Sequence, residues 1–581
     1  MLERLRPLNP YLRRYWKSLA WGGVAVVLYN TIKVLIPAVI GHAVDDLRHG
    51  VTQQKIIFHA LRLLLIALLS AIFLYITRQV IIGASREIEF DLRNDLFANL
   101  ERQPPNFYNT YRTGDIMARS TNDLAAVRQL LGPAIMYSAN TIVFTAAALP
   151  FMIRISPKLT LCAFVPLPIA SVLVQYFGAR IHTRFERIQA MFSDISAKAQ
   201  ENFSGARLIR AFAQEDAEIA SFETANQEYI KRSLYLVRLM AMLWPTLEFV
   251  LGLSLMITLF VGGHEVVTHR ISVGEFTAFS VYMVQLTWPM IAVGWVVNLF
   301  QRGTASVVRI DELLQHQPAI TDNEDSIIQS PITGDIDFRQ LSFSYPDGPP
   351  ILTDINLHIP AGSSLAIVGP TGSGKSTLVN LIPRLLEAAP ESIFIDGNTI
   401  RSYPLEHLRR SIGFVPQETF LFSETIRQNI AFGVPHATEA QVLQAATTGH
   451  IATEILEFPK GFDTTVGERG ITLSGGQKQR TAIARALIRE PRILILDDAL
   501  ASVDTYTEEQ IFSGLRKLMQ GRTTIFISHR ISTARNADQI AVLVAGRIAE
   551  LGTHDQLLAR NGYYTSLFDK QRLEEELSVA S

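Results

Sequence analysis

The sequence predicts a multidomain chain: an all-α domain of six transmembrane helices, then an α/β domain built around a phosphate loop. Three observations lead there. The chain has 581 residues, room for roughly two to four domains at about 100–200 residues each. Hydrophobic residues make up 48% and charged ones 18%, where soluble domains carry about 25% charged residues, and the apolar excess lies almost wholly before residue 305. After that point come short β-rich runs, glycine turns and amphipathic helices, among them SSLAIVGPTGSGKSTLVNLIPRLL. The mean hydropathy of +0.19 is the average of two unlike halves.

Charge and cysteine exclude whole classes of function. Lys and Arg (53) nearly balance Asp and Glu (54), so no global field favours nucleic acid or an acidic partner. The single cysteine, Cys162, sits in an apolar run, which rules out an intramolecular disulfide and a cysteine metal cluster.

Six apolar runs, at roughly residues 18–43, 56–83, 133–154, 158–178, 238–264 and 274–300, each approach the ~20 residues of helix that cross a bilayer core. The first is no cleavable signal, because five basic residues precede a run that is too long and no small-residue cleavage pattern follows. With the N-terminus inside, the outer connections hold only Arg48, Lys55 and Arg270, while 84–132 and 179–237 carry Arg86, Arg93, Arg184, Arg187, Lys231 and nine more Lys and Arg residues. Basic residues stay on the cytoplasmic side, so the reading is a multi-pass protein of the cytoplasmic (inner) membrane with everything after residue 305 also in the cytoplasm. The two inner connections are far longer than ordinary loops. REIEFDLRNDLFANLERQ and RFERIQAMFSDISAKAQENF repeat apolar residues at spacings of three and four among charges, as helices running on into water would. Breaks at PPNFYNTYRTGDIMARSTND and NFSGARLIRAFAQED predict short helices at the tips. The membrane domain is set at 1–310, a polar linker at 311–334 and the α/β domain at 335–581.

In that second domain Gly369, Gly374, Lys375 and Ser376 fit G-x-x-x-x-G-K-[ST], with a β-rich run before and a helix after. Gly369, Gly372 and Gly374 allow backbone N–H groups to turn toward phosphate oxygens, and the following helix points its positive end at them. Thr371, Ser373 and Thr377 belong to the same cradle. Lys375 supplies a charge to the β- and γ-phosphates and Ser376 a hydroxyl to Mg²⁺. In RILILDDALASVD, a buried strand delivers Asp497 to the sheet's carboxyl edge, where it would hold Mg²⁺ through water.

LSGGQKQR at 473–480 resembles the signature of ATP-binding cassette (ABC) ATPases, and the whole layout resembles an ABC exporter half-transporter of the type IV exporter fold. The resemblance implies further roles. Tyr345 in FSYPDG is similar to the aromatic that stacks on adenine, Gln417 in FVPQETFLF to the glutamine that senses Mg²⁺ and the membrane domain, TVGERG to the exporter X-loop, Asp504 to the D-loop aspartate, and His529 in FISHR to the switch histidine at the γ-phosphate. NTYRTGDIMARSTND and GARLIRAFAQE resemble the two coupling helices. Ser474, Gly475, Gly476 and Gln477 open a helix and so form a second anion site; in the family it caps the ATP of a facing cassette, which implies a dimer around two ATP molecules.

One residue departs from that pattern. Asp498 stands where the family usually has glutamate to polarise the hydrolytic water, and it is shorter by one methylene. A misplacement of about 1 Å can cost on the order of a hundredfold in rate, so this chain's own site is expected to bind ATP and hydrolyse it poorly. With the signature intact, the favoured arrangement is a heterodimer in which this chain completes the partner's site; a homodimeric lipid flippase similar to the lipid A exporter is the alternative. Six spans exclude a soluble cassette ATPase, a gated channel would carry both halves and a regulatory segment, and an importer would have separate membrane chains. The expected substrates are amphipathic small molecules, lipids or peptides. Lys33, Glu248, Gln285 and Asn298 are the polar candidates within spans, and Trp288, Trp295 and Phe300 the apolar ones.

Overall fold

A computed structural model describes the chain apart from residues 1–2, 49, 51, 323–325, 347, 468–469, 471, 500–518, 520 and 581, and apart from the side chains of 167, 168, 170, 171, 175, 290, 291 and 574–580. It divides into two compact units: Met1–Glu101 with Arg112–His316, and Arg102–Tyr111 with Gln317–Ser581.

The first unit is entirely helical among the described residues. The helix Gln53–Glu101 shows the principle of its construction. Along its apolar stretch, Leu61, Leu64, Leu65, Leu68 and Ile72 are exposed, a face that lipid rather than water would solvate. Past residue 80 the pattern inverts: Ile81, Ala84, Ser85, Ile88, Leu92, Leu96 and Leu100 form a buried stripe, while Arg86, Glu87, Arg93 and Asp95 are exposed and the largely covered Glu89 and Asp91 pair with Arg128 and Arg14. One element thus meets two solvents, and spacing of three and four carries the packing where the chain leaves the apolar zone.

Among the described residues, five helical segments are long and apolar enough to cross a membrane: Trp16–Arg48, Gln53–Glu101, Thr113–Ile155, Glu215–Val267 and Val273–Gln315. The expected fourth crossing, 158–178, is not among them. Val165 keeps helical φ and ψ, −55° and −43°, but Pro166 brings no backbone N–H, so the hydrogen-bonded run is divided between Pro157–Phe164 and Pro166–Ser204. The longer helix then reaches Gln175 and Arg180 within its first few turns. The expected tip helices are present as Pro105–Thr110, Thr113–Ala118 and Ala206–Ala211.

Polar contacts join the helices at both ends of the bundle. Near the short connections, Gly274 N–H donates to Asp45 Oδ1 at 2.7 Å and Ser272 Oγ donates to Asp45 Oδ2, while Ser272 and Glu275 cap the last helix reciprocally. Lys158 and Arg270 both reach the buried Glu265, at 3.1 and 3.3 Å. In the extensions, Arg309 Nε and Ser306 Oγ donate to the buried Asp123 at 2.8 and 2.9 Å, and Arg119 joins Asp115 at 2.9 Å to Glu312 at 2.8 Å. A carboxylate removed from water needs such partners, and here each partner lies on another helix or turn, so satisfying the charge also fixes the packing.

The second unit holds a six-stranded, mostly parallel sheet and a four-stranded antiparallel one. The six-stranded order is β10-β9-β3-β8-β7-β6, with β3 at Ser364–Val368, β6 at Ile412–Val415, β7 at Ile493–Asp497, β8 at Thr523–Ile527, β9 at Gln539–Val544 and β10 at Arg547–Gly552. The other order is β2-β1-β4-β5, with β1 at Ile336–Ser344, β2 at Pro350–Ile359, β4 at Ile393–Ile395 and β5 at Asn398–Thr399. Every residue of β3, β7 and β8 is buried, as a parallel sheet covered on both faces requires. One face packs on the antiparallel sheet through Phe338, Leu357, Ile367, Leu378 and Ile495. The other packs on helices through Ile483, Leu487, Leu496, Phe526 and Tyr564.

Gly41 and Gly274 let two membrane helices touch backbone to backbone. A Cβ on Gly274 would lie 2.0 Å from Gly41 O and 2.5 Å from the Asp45 carboxyl, whereas one on Gly263 would meet nothing within 4 Å. Gly274→Ala should therefore lower the melting temperature, as overpacking costs about 1–3 kcal/mol, and Gly263→Ala should not; thermal unfolding of the two purified variants checks the contrast.

Candidate nucleotide site

The register of the sheet assembles the site. β3 pairs with β8 so that Ile367 faces Ile527, and β7 pairs with β8 so that Asp497 faces Ile527. The three strands end together at their carboxyl edge, where ligands of open α/β sheets bind. A cavity of about 280 Å³ opens there, lined by Tyr345, Ile351, Thr371, Gly372, Gly374, Lys375, Ser376, Thr377, Gln417, Asp497, Asp498, Ile527 and His529. Residues drawn from separate stretches of sequence meet in one place.

The loop between β3 and the helix Lys375–Leu381 is held by its glycines. Gly369, Gly372 and Gly374 have φ of 149°, 81° and 99°, which other residues rarely adopt, and a Cβ on Gly369 would lie 2.1 Å from Leu543 O. Lys375, only 6% exposed, donates from Nζ to Gly369 O and Pro370 O, each at 2.9 Å. Burial lowers its pKa, and the negative charges of Asp498 and Asp497 act against that. An ammonium solvated by two carbonyls in a dry loop gains from an anion. Ser373 Oγ is buried without a hydrogen-bond partner, another donor available to a phosphate oxygen. The residues present fit a nucleotide triphosphate.

Asp497 is 3% exposed and accepts from Ser376 Oγ at 3.0 Å. Burial raises its pKa; Ser376 opposes the rise, Asp498 adds to it, and Lys375 and His529 oppose it. The next residue, Asp498, has φ of 49°, a left-handed conformation that Asp tolerates better than most side chains. Its Oδ2 lies 4.0 Å from His529 Nε2. Tyr345 stands at the rim, its hydroxyl 3.3 Å from Thr377 Oγ1 and its ring edge-on to Phe343 at 5.2 Å between centroids.

Ser474, Gly475, Gly476 and Gln477 are not in this cavity. They open the helix Gly475–Leu487, with a capping box in which Ser474 Oγ accepts from Gln477 N at 3.3 Å and Gln477 Oε1 accepts from Ser474 N at 2.9 Å. Gln477 Nε2 also donates to Glu454 at 2.9 Å. Ser474 and Gly475 are exposed. Asp504, together with two residues of the TVGERG stretch, lies outside the described residues.

Sequence reasoning missed Gln571. From the C-terminal helix Tyr563–Ala580, its Nε2 donates to His529 O at 2.6 Å and its Oε1 accepts from Ile531 N at 2.8 Å. One side chain clamps the backbone on both sides of Arg530. A glutamine in an ordinary amphipathic helix carries no motif, so nothing local pointed to it.

Comparison with known proteins matches this architecture in both parts. Residues 19–290 match the ABC transporter transmembrane region and residues 352–501 match the ABC transporter family. A probable multidrug resistance ABC transporter ATP-binding/permease protein of Bacillus subtilis, YheI, is 36% identical over 99% of this chain and 98% of its own length. The chain belongs to the ABC transporter family. An ATP-dependent lipid A-core flippase of Syntrophus aciditrophicus is 34% identical over 99% of this chain and 94% of its own. The solved structure of a bacterial Atm1-family ABC exporter with ATP bound superposes with a TM-score of 0.78 at 27% identity, covering 96% of this chain and 99% of that one. The protein is an ABC exporter of the type IV fold, a multi-pass membrane protein that acts with a dimer partner and whose second domain binds ATP and couples its hydrolysis to transport.

Two outcomes follow from the site's geometry. Asp497 has a folded pKa above its unfolded one, so its ionised form destabilises the fold; that penalty is full above the folded pKa and vanishes as pH falls below the unfolded value. Asp497→Asn should raise the nucleotide-free melting temperature at neutral pH, on the scale of about 2–4 °C per kcal/mol, with the gain shrinking toward acid pH in thermal scans. Gln571→Ala should speed amide exchange at Ile531 by about fivefold to tenfold, as loss of a hydrogen bond worth ~1 kcal/mol predicts, while exchange at Val542 in β9 stays unchanged.

Proposed function

We propose that this exporter half forms a heterodimer in which its own ATP site is degenerate and its signature segment serves the partner's competent site. The observation that supports this most directly is Asp498. It follows a Walker B strand whose other features are complete, with Asp497 bonded to Ser376, yet its carboxylate is one methylene shorter than the glutamate of the family pattern. The signature segment is intact, with Ser474 and Gly475 exposed. A chain that keeps the half it lends and shortens the half it would use alone suits an unequal pair.

In this reading the membrane domain spans 1–310, the linker 311–334 and the cassette 335–581. Six helices cross the cytoplasmic membrane, counting the divided segment 158–178, and the N-terminus and cassette lie in the cytoplasm. ATP is held by Gly369 to Thr377 with Tyr345 on the adenine. Mg²⁺ is held by Ser376, Gln417 and Asp497; among the described residues there is no cluster of three or more His, Cys, Asp or Glu side chains, and Mg²⁺ commonly relies on one or two carboxylates with the phosphates themselves. His529 addresses the γ-phosphate, and Ser474 to Gln477 with Asp504 meet the facing nucleotide. The short tip helices Thr113–Ala118 and Ala206–Ala211 transmit closure of the cassettes to the membrane helices. Differential affinity for an amphipathic drug, lipid or peptide in two states then yields export.

The test is an asymmetry. In the complex of this chain with the product of an adjacent transporter gene, Asp498→Asn should leave at least about half of the ATPase activity, because hydrolysis uses the partner's carboxylate. Ser474→Arg should reduce it at least tenfold, a barrier change of about 1.4 kcal/mol or more, by placing a bulky cation in the competent site. If this chain alone hydrolyses ATP at a rate typical of exporters and Asp498→Asn abolishes it, the aspartate is a working base and the homodimeric lipid flippase replaces the heterodimer.

A further inference from the structure

A second cavity carries charge. It has a volume of about 740 Å³ and lies between the helices Pro166–Ser204 and Glu215–Val267, within the helical unit. Arg184 and Arg187 enter it from one helix, and Lys231, Arg232 and Arg238 from the other. Glu228 is the lining carboxylate, and it already accepts from Arg232 Nε at 2.7 Å. Five cations against one carboxylate leave a strong positive surplus, and clustering like charges costs energy that an anion would recover. Arg184 is also held in place, its guanidinium 4.9 Å from the centroid of the Tyr235 ring.

The height of this cleft along the helices decides what anion it suits. On one helix the apolar run ends at Gly178 and on the other it begins at Leu239. At 1.5 Å per residue, Arg184 lies roughly 9 Å, Tyr235 roughly 6 Å and Arg238 roughly 2 Å beyond those limits. The headgroup layer on each side of a bilayer is about 5–8 Å deep, so Arg238 stands within it, and Arg184, Arg232, Lys231 and Arg187, roughly 9–14 Å out, stand below it with side chains long enough to reach up toward it. On the membrane side of them the same two helices expose Val172, Tyr176 and Met242, apolar surface that an acyl chain could cover. A soluble anion would use only the lower part of this surface. An anionic amphiphile would use both parts.

We infer that the cleft binds the phosphate headgroup of an anionic phospholipid from the leaflet nearest the helical extensions, with its acyl chains along the apolar face above. The site is separate from the nucleotide cavity and does not depend on which carboxylate hydrolyses ATP. Basic pockets between membrane helices are a recurrent means of holding such headgroups. Because the two helices also carry the tip helix Ala206–Ala211 between them, a bound headgroup would bridge both arms of that hairpin and set the spacing at its base.

The test uses the full-length chain in its purified dimeric form, titrated in neutral detergent with dioctanoyl phosphatidylglycerol or dioctanoyl phosphatidylcholine, with bound lipid counted by native mass spectrometry. Phosphatidylglycerol should bind at least about tenfold more tightly than phosphatidylcholine, and one such lipid per copy of this chain should be lost in Arg184→Glu with Lys231→Glu. Arg184→Lys with Lys231→Arg should retain it, and Arg207→Glu, outside the cleft, should have no effect. Equal binding of the two lipids, retention in the reversed pair, or the same loss from Arg207→Glu would overturn the inference. Displacement of phosphatidylglycerol by inorganic phosphate at matching concentration would do so too, since the site would then belong to a free anion. If the doubly reversed chain does not assemble, Arg187→Gln with Tyr235→Ala decides by the same measurement.

Discussion

The hydrogen-bonded register of three buried parallel strands is the constraint on which the nucleotide site depends. β3, β7 and β8 are each short and wholly buried, and a slip of one residue would move every side chain to the opposite face. With Asp497 level with Ile527 and Ile367 level with the same residue, the phosphate loop, the paired aspartates and His529 have no choice but to converge. The core thus does chemical work at a distance: the isoleucines and leucines that interlock the sheets on one face decide where a carboxylate sits at the edge.

The helical unit solves a different problem with related means. Its apolar faces cannot drive helix association where lipid covers them, so specificity falls to close backbone contact and to polar groups that bond across the bundle. Asp45, Asp123 and Glu265 each bridge separate parts of the chain. Asp123 and Arg119 attach the segment after the first tip to the last helix of the unit, the helix that leads toward the linker. Lys33, one of the intramembrane polar residues evident in the sequence, lies over the rings of Tyr29 and Phe144 at 5.6 and 5.1 Å, which gives its charge a place without a carboxylate.

Much of this was legible beforehand because the signals were local. A glycine loop needs its glycines in consecutive positions, and a buried strand needs an unbroken apolar run, so Gly369, Lys375, Ser376 and Asp497 stood out on spacing alone. Helices with two solvents showed as apolar runs that pass into amphipathic ones. What stayed hidden was non-local. Gln571 acts through a partner 42 positions away, and Asp123 through one 186 positions away; no pattern on either side of such a pair reports the contact. The division at Val165 was hidden for the opposite reason, since hydropathy reads composition and is blind to a proline that removes a backbone donor without making the segment polar. The cleft of arginines was read as mere charge excess for orientation, because two helices had to be brought side by side before their cations shared a space.

The contact between Gly41 and Gly274 has a mechanical consequence. Two helices that touch at bare backbone, pinned there by Asp45 on Gly274 N–H and Ser272 Oγ, share a fixed point about which any tilt between them must turn. The helix that starts there runs 43 residues, a lever of about 65 Å at 1.5 Å per residue. A tilt of about 5° at the glycine end carries the far end, at Gln315, through about 5–6 Å over that length. The fulcrum sits at the short-loop end of the bundle, and so a slight movement there is amplified where the chain leaves the helical unit; run in reverse, a large displacement at Gln315 is geared down to a fine one beside Asp45.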